Sequence, residues 1–363
     1  MAPLILLAAG GTGGHLFPAE ALSHALSRQG LRVALMTDTR AAAYAGSFPA
    51  ESIHPVPAAT PSGRSPVKMA MAMLELGKGV LAARQIVAKL KPAVVVGFGG
   101  YPTVPPVIGA SLAGVKTVIH EQNAVIGRAN RFLSGRAQTI ATGFAEVGGL
   151  SDAAKAKCVQ VGNPVRPAVV EAASPYAEPG EGPLNLLVFG GSQGARIMAD
   201  IVPAALNLLL PEERARISLT QQARIEDDLR VRDLISQAGV SAEIAPFFKD
   251  LPARMAKAHL VIGRSGASTV AELTVIGRPS ILVPLPGALD QDQAANAAVL
   301  EKAGGTIRIL QPDFTPQRLA QELSALLAAP TRLTAMAAHA KSAGIPDAAD
   351  RLARLVADLA NAR

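Results

Sequence analysis

Two apolar segments of this chain each run directly into a glycine-rich turn, and this pairing constrains the fold more than any other feature. The first is LILLA at 4–8, followed by AGGTGGH at 9–15. The second is LNLLVF at 184–189, followed by GGSQGAR at 190–196. A buried strand that ends in such a turn and leads into a helix opens a doubly wound α/β domain. Its double occurrence in 363 residues predicts two such domains in series.

The other apolar runs extend the same pattern. Runs without polar alternation, separated by segments of helical length, are typical of parallel strands covered by helices on both faces. Only 3% of the residues are aromatic, so the cores must consist mainly of Ala, Val, Leu and Ile. Helices are predicted at 15–29 and 68–90. Further strands are predicted at 32–37, 93–98, 116–120, 139–142, 216–220, 259–263, 280–284 and 306–310.

A proline-rich segment separates the two halves. Residues 163–183 contain five prolines and no strand pattern. We therefore predict an N-terminal Rossmann-like domain at 1–163 and a C-terminal one at 164–340. Residues 341–363 are predicted as a C-terminal helical segment that packs back on the first domain, because Leu352, Val356 and Leu359 share one helix face.

Charge and cysteine content limit the partners. The formal net charge is +7, which favours anionic partners such as phosphorylated ligands or acidic lipid surfaces. Nucleic acid is not predicted, because aromatic stacking platforms are scarce and no long Lys/Arg run occurs. The single Cys158 cannot form an intrachain disulfide, which fits a reducing compartment. The N-terminal apolar run lacks a basic region before it and is interpreted as a strand rather than a signal peptide.

One uncharged stretch raises the question of a membrane span. Residues 92–115 lack charge over 24 positions, but they contain four prolines and five glycines. Such a composition makes a poor continuous helix. We predict a strand, a loop and a helix start in this stretch.

Both glycine turns are predicted to bind anions. The first N–H groups of a helix are unsatisfied, the helix dipole adds positive charge, and glycine lets an anion approach the backbone. Gly11 and Gly13 match part of a dinucleotide fingerprint and Asp38 follows at a plausible distance, but Leu16 replaces the third glycine. NAD binding and a plain tight turn therefore remain alternatives. His15 lies in the predicted first turn of the helix, where the dipole favours the neutral imidazole, and it is predicted to be catalytic.

Three further polar clusters follow predicted strands. HEQN at 120–123 is expected at the carboxyl edge of the first sheet. In RSGASTVAEL at 264–273, Arg264, Ser265, Ser268 and Thr269 cluster at a predicted helix N-terminus. The hydroxyls and the helix amides suit a diphosphate, and Glu272 suits a ribose diol. DQDQAANA at 290–297 contains Asp-x-Asp, but no other carboxylate cluster supports it. No metal site is therefore predicted, and Gln293 and Asn296 are interpreted as sugar-contacting or helix-face groups.

The ordered set AGGTGGH, GFGGY, HEQN, GNPVR, GGSQGAR, RSGASTVAE and DQDQAANA resembles the MurG family of bacterial peptidoglycan glycosyltransferases over nearly the whole chain. The resemblance implies a GT-B fold, with two Rossmann-like domains and an interdomain cleft. It implies inverting transfer of GlcNAc from UDP-GlcNAc to the C4 hydroxyl of MurNAc in undecaprenyl-diphospho-MurNAc-pentapeptide, with no cofactor and no bound metal. It also implies peripheral attachment to the cytoplasmic face of the inner membrane, a part in cell shape and division, and contact with other cell-wall synthesis and division proteins.

The resemblance also assigns site residues. It implies that His15 lies near the acceptor hydroxyl, as base or as its positioner, and that Arg166 or Arg264 meets the charge on departing UDP. Thr103, Phe248 and Lys249 depart from the family pattern. The implied substrate contacts are Thr12, Gly13 and Gly14 beside the donor, Asn123 on the sugar, Arg166, Ser192 and Phe248 on the nucleotide, Ala267, Ser268, Thr269, Val270, Ala271 and Glu272 on phosphate and ribose, and Gln293 on the GlcNAc hydroxyls.

Three alternative functions fit part of this pattern: another GT-B-like enzyme such as a UDP-GlcNAc 2-epimerase, an NAD-dependent oxidoreductase, and a non-catalytic nucleotide-sugar sensor. For the membrane, the segment 64–91 carries six basic residues against one acid, Glu75. Its Met and Leu side chains form either a membrane-facing patch or the core stripe of a helix. The basic residues are Arg64, Lys68, Lys78, Arg84, Lys89 and Lys91.

Overall fold

The computed structural model describes residues 2–11, 13–39, 48–59, 65–180, 182–191, 194–287 and 291–362. The chain divides into two compact units. Unit 1 comprises Met1–Arg166 and Pro346–Arg363, and unit 2 comprises Pro167–Ile345. Each unit is a parallel sheet covered by helices, and this confirms the predicted fold class.

Unit 1 contains a sheet of seven described strands in the order β3-β2-β1-β4-β5-β6-β7, all parallel. Its central strands are fully buried, and their Ile, Leu and Val side chains form the core with the helices on either face. The strands are β1 Leu4–Ala8, β2 Arg32–Asp38, β3 Ser52–Val56, β4 Val94–Gly97, β5 Lys116–Glu121, β6 Thr139–Thr142 and β7 Cys158–Gln160.

The helices of unit 1 follow these strands. The longest begins after Ser65, whose hydroxyl accepts the N–H of Lys68, and has Pro66 at its first position. It ends before Lys91, which is left-handed with φ of 48°. The helices are α1 Gly13–Arg28, α2 Pro66–Leu90, α3 Val104–Leu112, α4 Arg128–Leu133 and α5 Asp152–Lys155, with a 3-10 turn at Tyr101–Thr103.

Unit 2 repeats this construction with six described strands in the order β10-β9-β8-β11-β12-β13, all parallel. The strands are β8 Leu184–Phe189, β9 Ile217–Gln222, β10 Ser241–Ala245, β11 Leu260–Gly263, β12 Ser280–Leu282 and β13 Thr306–Arg308. The helices are α6 Pro167–Ala172, α7 Arg196–Leu208, α8 Pro211–Ala215, α9 Asp228–Ala238, α10 Leu251–Lys257, α11 Ala267–Ile276, α12 Asp292–Lys302, α13 Pro316–Ala328 and α14 Pro330–Ser342, with a 3-10 turn at Gln311–Asp313.

The last helix, α15 Ala348–Asn361, belongs to unit 1. Its Leu352, Ala353 and Val356 are fully buried in the same core cluster as residues of α1. Two polar contacts fix it further: Arg28 of α1 pairs with Asp350 at 2.8 Å, and Lys116 donates to the carbonyl oxygen of Leu359 at 2.9 Å. The helix therefore completes the core of unit 1.

Three strands were missed by the sequence analysis, and all three lie at sheet edges. β3 and β7 are the two edges of the sheet in unit 1, and β10 is one edge in unit 2. Edge strands are partly solvated, so they lack the continuous apolar run that identifies a central strand. The uncharged stretch 92–115 forms β4, the 3-10 turn and α3, as predicted. Within the described ranges, no helix is both long enough and apolar enough to cross a membrane.

Candidate active site

Each sheet has one point at which the order of its strands reverses. In unit 1 the chain adds β2 and β3 on one side of β1 and then continues with β4 on the other side. In unit 2 the same reversal separates β8 from β11. A crevice opens at the carboxyl ends of two such strands, and ligands of doubly wound folds bind there. Both glycine turns of the sequence lie at these reversals, after β1 and after β8.

The first glycine turn is tied to the end of β2. The Gly11 N–H donates to Oδ2 of Asp38 at 3.0 Å, and a Cβ on Gly10 would lie 2.6 Å from the same oxygen. Asp38 is buried beside the turn, so it does not extend outward as the ribose-binding acid of the NAD alternative would. Gly13 is half-buried and Gly14 is exposed in the first turn of α1, whereas Thr12 lies outside the described residues.

His15 lies in the first turn of α1, and its ring rests on the turn that follows β4. A Cβ on Gly99 would lie 3.4 Å from its Cε1, and a Cβ on Gly100 would lie 3.1 Å from its Cδ2. Both glycines have positive φ, at +81° and +70°. Thr103, which departs from the family pattern, donates its hydroxyl to the Gly99 carbonyl. The β4 turn therefore sets the position of the imidazole at the crevice.

The HEQN segment differs from the expectation that all four residues lie beyond the strand. His120 and Glu121 belong to β5 and are buried. Burial lowers the pKa of His120 to about 4, so its ring is neutral. Its Nε2 donates to the Gly162 carbonyl at 3.0 Å, while Nδ1 accepts from the amide of Gln122 at 3.0 Å. His120 is thus a structural group inside unit 1.

Glu121 organises the loop that carries Asn123. Its carboxylate accepts the N–H groups of Asn123 and Gly127, each at 3.0 Å, and the side-chain amide of Asn130 at 2.8 Å. Burial raises the pKa of Glu121, and these N–H donors oppose that rise. Asn123 itself remains half-buried at the crevice. The loop is therefore held in shape by the acid of the HEQN segment, a supporting role that the sequence alone did not indicate.

The second glycine turn follows β8 in unit 2. Its tightness is shown by Gly190, where a Cβ would lie 2.2 Å from the Ala195 nitrogen. Gly191 and Gly194 both have positive φ, at +91° and +71°. Gln222, the last residue of β9, accepts the Gly190 N–H at 3.1 Å. Ser192 lies outside the described residues.

The N-terminus of α11 lies on the other side of the reversal in unit 2. Gly266 is its N-cap and supplies no side-chain cap, and the residues from Gly266 to Thr269, which include Ala267 and Ser268, are half-buried. The first N–H groups of this helix are available to an anion. Val270 and Ala271 face the core, and Glu272 is 7% exposed about one turn into the helix.

Arg264 and Ser265, just before this helix, form hydrogen bonds with neighbouring segments of unit 2. Arg264 donates to the carbonyl oxygens of Val283 and Pro284, both at 3.0 Å, and to Gln311 Oε1 at 2.6 Å. Ser265 donates its hydroxyl to the Gln293 carbonyl at 2.8 Å. Both residues hold neighbouring backbone segments together.

Gln293 and Asn296 differ in accessibility. Gln293 is half-buried in α12, and its Oε1 accepts the Leu285 N–H at 3.0 Å. Asn296 is fully buried and donates to the Ser265 carbonyl at 3.2 Å, so it supports the turn before α11. Asp290 of the Asp-x-Asp spacing lies outside the described residues.

Two of the predicted nucleotide contacts, Phe248 and Arg166, each take part in a stack between an arginine and an aromatic ring. Phe248 is 8% exposed, and Arg254 covers it with Cζ 4.3 Å from the ring centroid. The neighbouring Phe247 is 61% exposed. Arg166 belongs to unit 1, where its guanidinium lies 4.2 Å from the centroid of Phe17 on α1. The sequence analysis missed Gln222 and Arg254, because single polar residues outside a motif give no signal.

The two units correspond to two known domains. Residues 5–142 match the glycosyltransferase family 28 N-terminal domain, and residues 185–352 match the glycosyltransferase family 28 C-terminal domain. The fold and its two crevices therefore define a family 28 glycosyltransferase of the GT-B class.

Relatives and a solved structure narrow this class. The chain is 60% identical over 362 residues to a UDP-N-acetylglucosamine–N-acetylmuramyl-(pentapeptide) pyrophosphoryl-undecaprenol N-acetylglucosamine transferase of Methylobacterium nodulans, covering 99% of this chain and 97% of the relative. A protein of the same description from Methylobacterium sp. is 61% identical, with the same coverage. The crystal structure of Acinetobacter baumannii MurG superposes with a TM-score of 0.81 at 28% identity, covering 98% of this chain and 99% of that one. The chain belongs to the MurG family of N-acetylglucosamine transferases.

Proposed function

We propose that this protein transfers GlcNAc from UDP-GlcNAc to the C4 hydroxyl of MurNAc in undecaprenyl-diphospho-MurNAc-pentapeptide and releases UDP. The observation that carries this proposal is identity of about 60% over nearly the full length of enzymes described by that transfer. Family membership excludes the oxidoreductase alternative and favours transfer over epimerisation.

In the proposed reaction, unit 2 holds the donor. The diphosphate lies at the free N–H groups of α11 and beside the glycine turn after β8, and Glu272 accepts hydrogen bonds from the ribose hydroxyls. The acceptor oxygen attacks the anomeric carbon, the new C–O bond forms, and the bond from that carbon to the β-phosphate oxygen breaks. Charge that develops on the departing UDP meets N–H dipoles that are already oriented toward it.

Unit 1 then holds the acceptor. The glycine turn at Gly10–Gly14 receives the diphosphate of the lipid, again at a helix N-terminus. The acceptor hydroxyl loses a proton as it attacks, and the imidazole of His15 takes up that proton. The β4 turn and the loop held by Glu121 present His15 and Asn123 to the same crevice of unit 1.

A surface of α2 is proposed to bind the anionic cytoplasmic leaflet of the inner membrane. Its buried stripe, which includes Leu76, Ala83 and Val87, packs in unit 1. The exposed positions of the helix carry apolar residues together with basic ones, so both interpretations of 64–91 apply to this one helix. Arg64 lies outside the described residues. This lipid-facing surface comprises Val67, Lys68, Met69, Met71, Met73, Leu74, Lys78, Leu81, Arg84 and Lys89.

One assay tests the proposed reaction. Purified protein is incubated with UDP-GlcNAc in the presence and absence of a short-chain analogue of the lipid acceptor, and released UDP and sugar products are measured. We expect UDP release that depends on the acceptor, together with a disaccharide product. Acceptor-independent conversion of the donor to an epimer would favour the epimerase, and donor binding without any turnover would favour a sensor.

A further inference from the structure

The loop between β10 and α10, residues 246–250, is braced by two side chains that lie outside every motif of the sequence. One of them, Arg254, contacts the strand before the loop, the last residue of the loop and a residue within it. It donates to Glu243 on β10 at 2.5 and 2.9 Å and to Asp250 at the start of α10 at 2.8 Å. Its guanidinium also covers the ring of Phe248. These contacts connect β10 to the start of α10, and the guanidinium packs on the Phe248 ring.

The second brace, Gln222, connects this loop to the glycine turn. Strand β9 lies between β8 and β10, and Gln222 is its last residue. Its Oε1 accepts the N–H of Gly190, and its Nε2 donates to the carbonyl oxygen of Pro246, each at 3.1 Å. The residue is 7% exposed. One buried amide therefore fixes the distance between the glycine turn after β8 and the loop after β10.

We propose that Gln222 and Arg254 are positioning residues for nucleobase recognition in the donor. This inference rests on the proposed function, in which the diphosphate lies at the glycine turn, and on the family resemblance, which implies that Phe248 contacts the nucleotide. A nucleoside diphosphate spans both segments, so it binds well only when their separation is already correct. Because the separation is already fixed in the free protein, the donor does not have to order the two segments when it binds, and its affinity is higher.

The proposal specifies which kinetic constant changes. A preformed donor site stabilises the ground state and the transition state equally, so its loss raises KM and leaves kcat unchanged. Base selectivity falls as well, because discrimination between bases requires polar groups of the loop at fixed positions. A brace that served only the stability of unit 2 would alter neither KM nor selectivity.

The test uses Gln222→Met and Arg254→Met, which keep side-chain length but remove the hydrogen bonds. Arg254→Lys is the conservative variant, since it keeps the charge but loses the planar bidentate contact. Arg318→Met is the matched control, because Arg318 forms a comparable ion pair with Glu322 elsewhere in unit 2. The measurements are KM and kcat for UDP-GlcNAc, calorimetric affinities for UDP and CDP, and thermal unfolding.

We expect each Met variant to raise the donor KM about tenfold. This factor is the cost expected when donor binding must order one or two side chains that are already ordered in the wild type. The preference for UDP over CDP should fall by a similar factor, whereas kcat should stay within about twofold. Arg254→Lys should have a donor KM between those of the wild type and Arg254→Met. The control should match the wild type. Variants with unchanged KM and unchanged selectivity would overturn the inference, whether or not their unfolding temperature falls. A wild-type protein that does not bind UDP would instead overturn the proposed function.

Discussion

At the scale of single residues, the position of His15 connects the geometry of unit 1 to the proposed proton transfer. The ring lies against the turn that follows β4, beside Gly99 and Gly100. Its function therefore depends on residues whose own side chains do no chemistry. Three predictions test, in turn, the proton transfer by His15, the position of its ring and the binding of the donor.

Replacing His15 with Ala should lower turnover by about 10²–10⁴-fold, since the variant lacks the proposed general base. Donor affinity should change little, because the donor is assigned to unit 2. His24→Ala is the control, as His24 lies half-buried on the same helix and has no motif around it. Steady-state rates at saturating acceptor check the prediction, and a nearly normal rate for His15→Ala would assign this residue to structure alone.

Replacing Gly100 with Ala should lower turnover, because the new Cβ would lie 3.1 Å from the His15 ring and displace it. Gly114→Ala is the control for a new Cβ at a positive-φ glycine. Gly114 has a nearly equal φ of +72°, but no atom lies within 4 Å of the position that a Cβ would take there. Both changes should also lower the unfolding free energy, and the loss at Gly100 should be about 1–3 kcal/mol because its φ of 70° and ψ of 160° lie in a region that is essentially restricted to glycine. If the two variants lose turnover equally, the contact with His15 is unimportant.

Replacing Glu272 with Ala should weaken UDP-GlcNAc binding by about 10- to 150-fold, since a hydrogen bond to a charged group contributes about 1.5–3 kcal/mol. The fold should persist, and Glu301→Ala on α12 serves as a control for removal of an acid in unit 2. Titration calorimetry gives both affinities directly. Unchanged donor affinity would remove Glu272 from the ribose site.

At the scale of secondary-structure elements, α2 is the helix that we propose to bind the membrane. One stripe of it packs in the core, and its exposed positions are both apolar and basic. Each basic residue near an anionic leaflet contributes about 1 kcal/mol of attraction. We therefore expect cosedimentation with anionic vesicles to fall strongly in a quadruple Gln variant of Lys68, Lys78, Arg84 and Lys89.

A charge-matched control distinguishes this face from the general positive charge of the protein. The control changes four exposed basic residues of unit 2 to Gln and should retain vesicle binding. Equal binding by both quadruple variants, at low and at physiological salt, would show that the lipid-facing surface was wrongly chosen. The control positions are Lys257, Lys302, Arg318 and Arg332.

Elements were predictable from sequence where one physical signal dominated. The central strands are buried on both faces, so β1, β4 and β8 stand out as uninterrupted apolar runs. The glycine turns after β1 and β8 were predictable from the same pattern. Side-chain contacts were less predictable, because no sequence pattern indicates that Arg264 donates to the carbonyl oxygens of Val283 and Pro284. Gln222 gave no signal, since its partners Gly190 and Pro246 lie on other segments, and Arg254 gave none beyond an ordinary i,i+4 pair with Asp250.

At the scale of the whole molecule, stability should depend on the buried imidazole of His120. Burial lowers its pKa from 6.5 to about 4, so the unfolded chain binds a proton before the folded one does. This contribution is fully present above pH 6.5 and is lost as the pH falls toward 4. Between pH 7 and pH 5 the loss should be about 2 kcal/mol.

Urea unfolding at both pH values measures this loss. His120→Gln should lose less unfolding free energy than the wild type over the same interval, whereas His24→Gln should behave like the wild type. Comparing variants cancels the titration of the other groups, including Glu121, whose raised pKa acts in the opposite direction. Equal losses in all three proteins would contradict the assignment to His120.

The placement of α15 has a consequence for biosynthesis. This helix buries Leu352, Ala353 and Val356 in unit 1, yet the ribosome makes it only after the whole of unit 2. The nascent first unit must therefore wait with part of its apolar surface uncovered while residues 167–345 are translated. Unit 2 is contiguous in the chain and can close as soon as it emerges. The half of the enzyme that is synthesised first is consequently the half that is finished last.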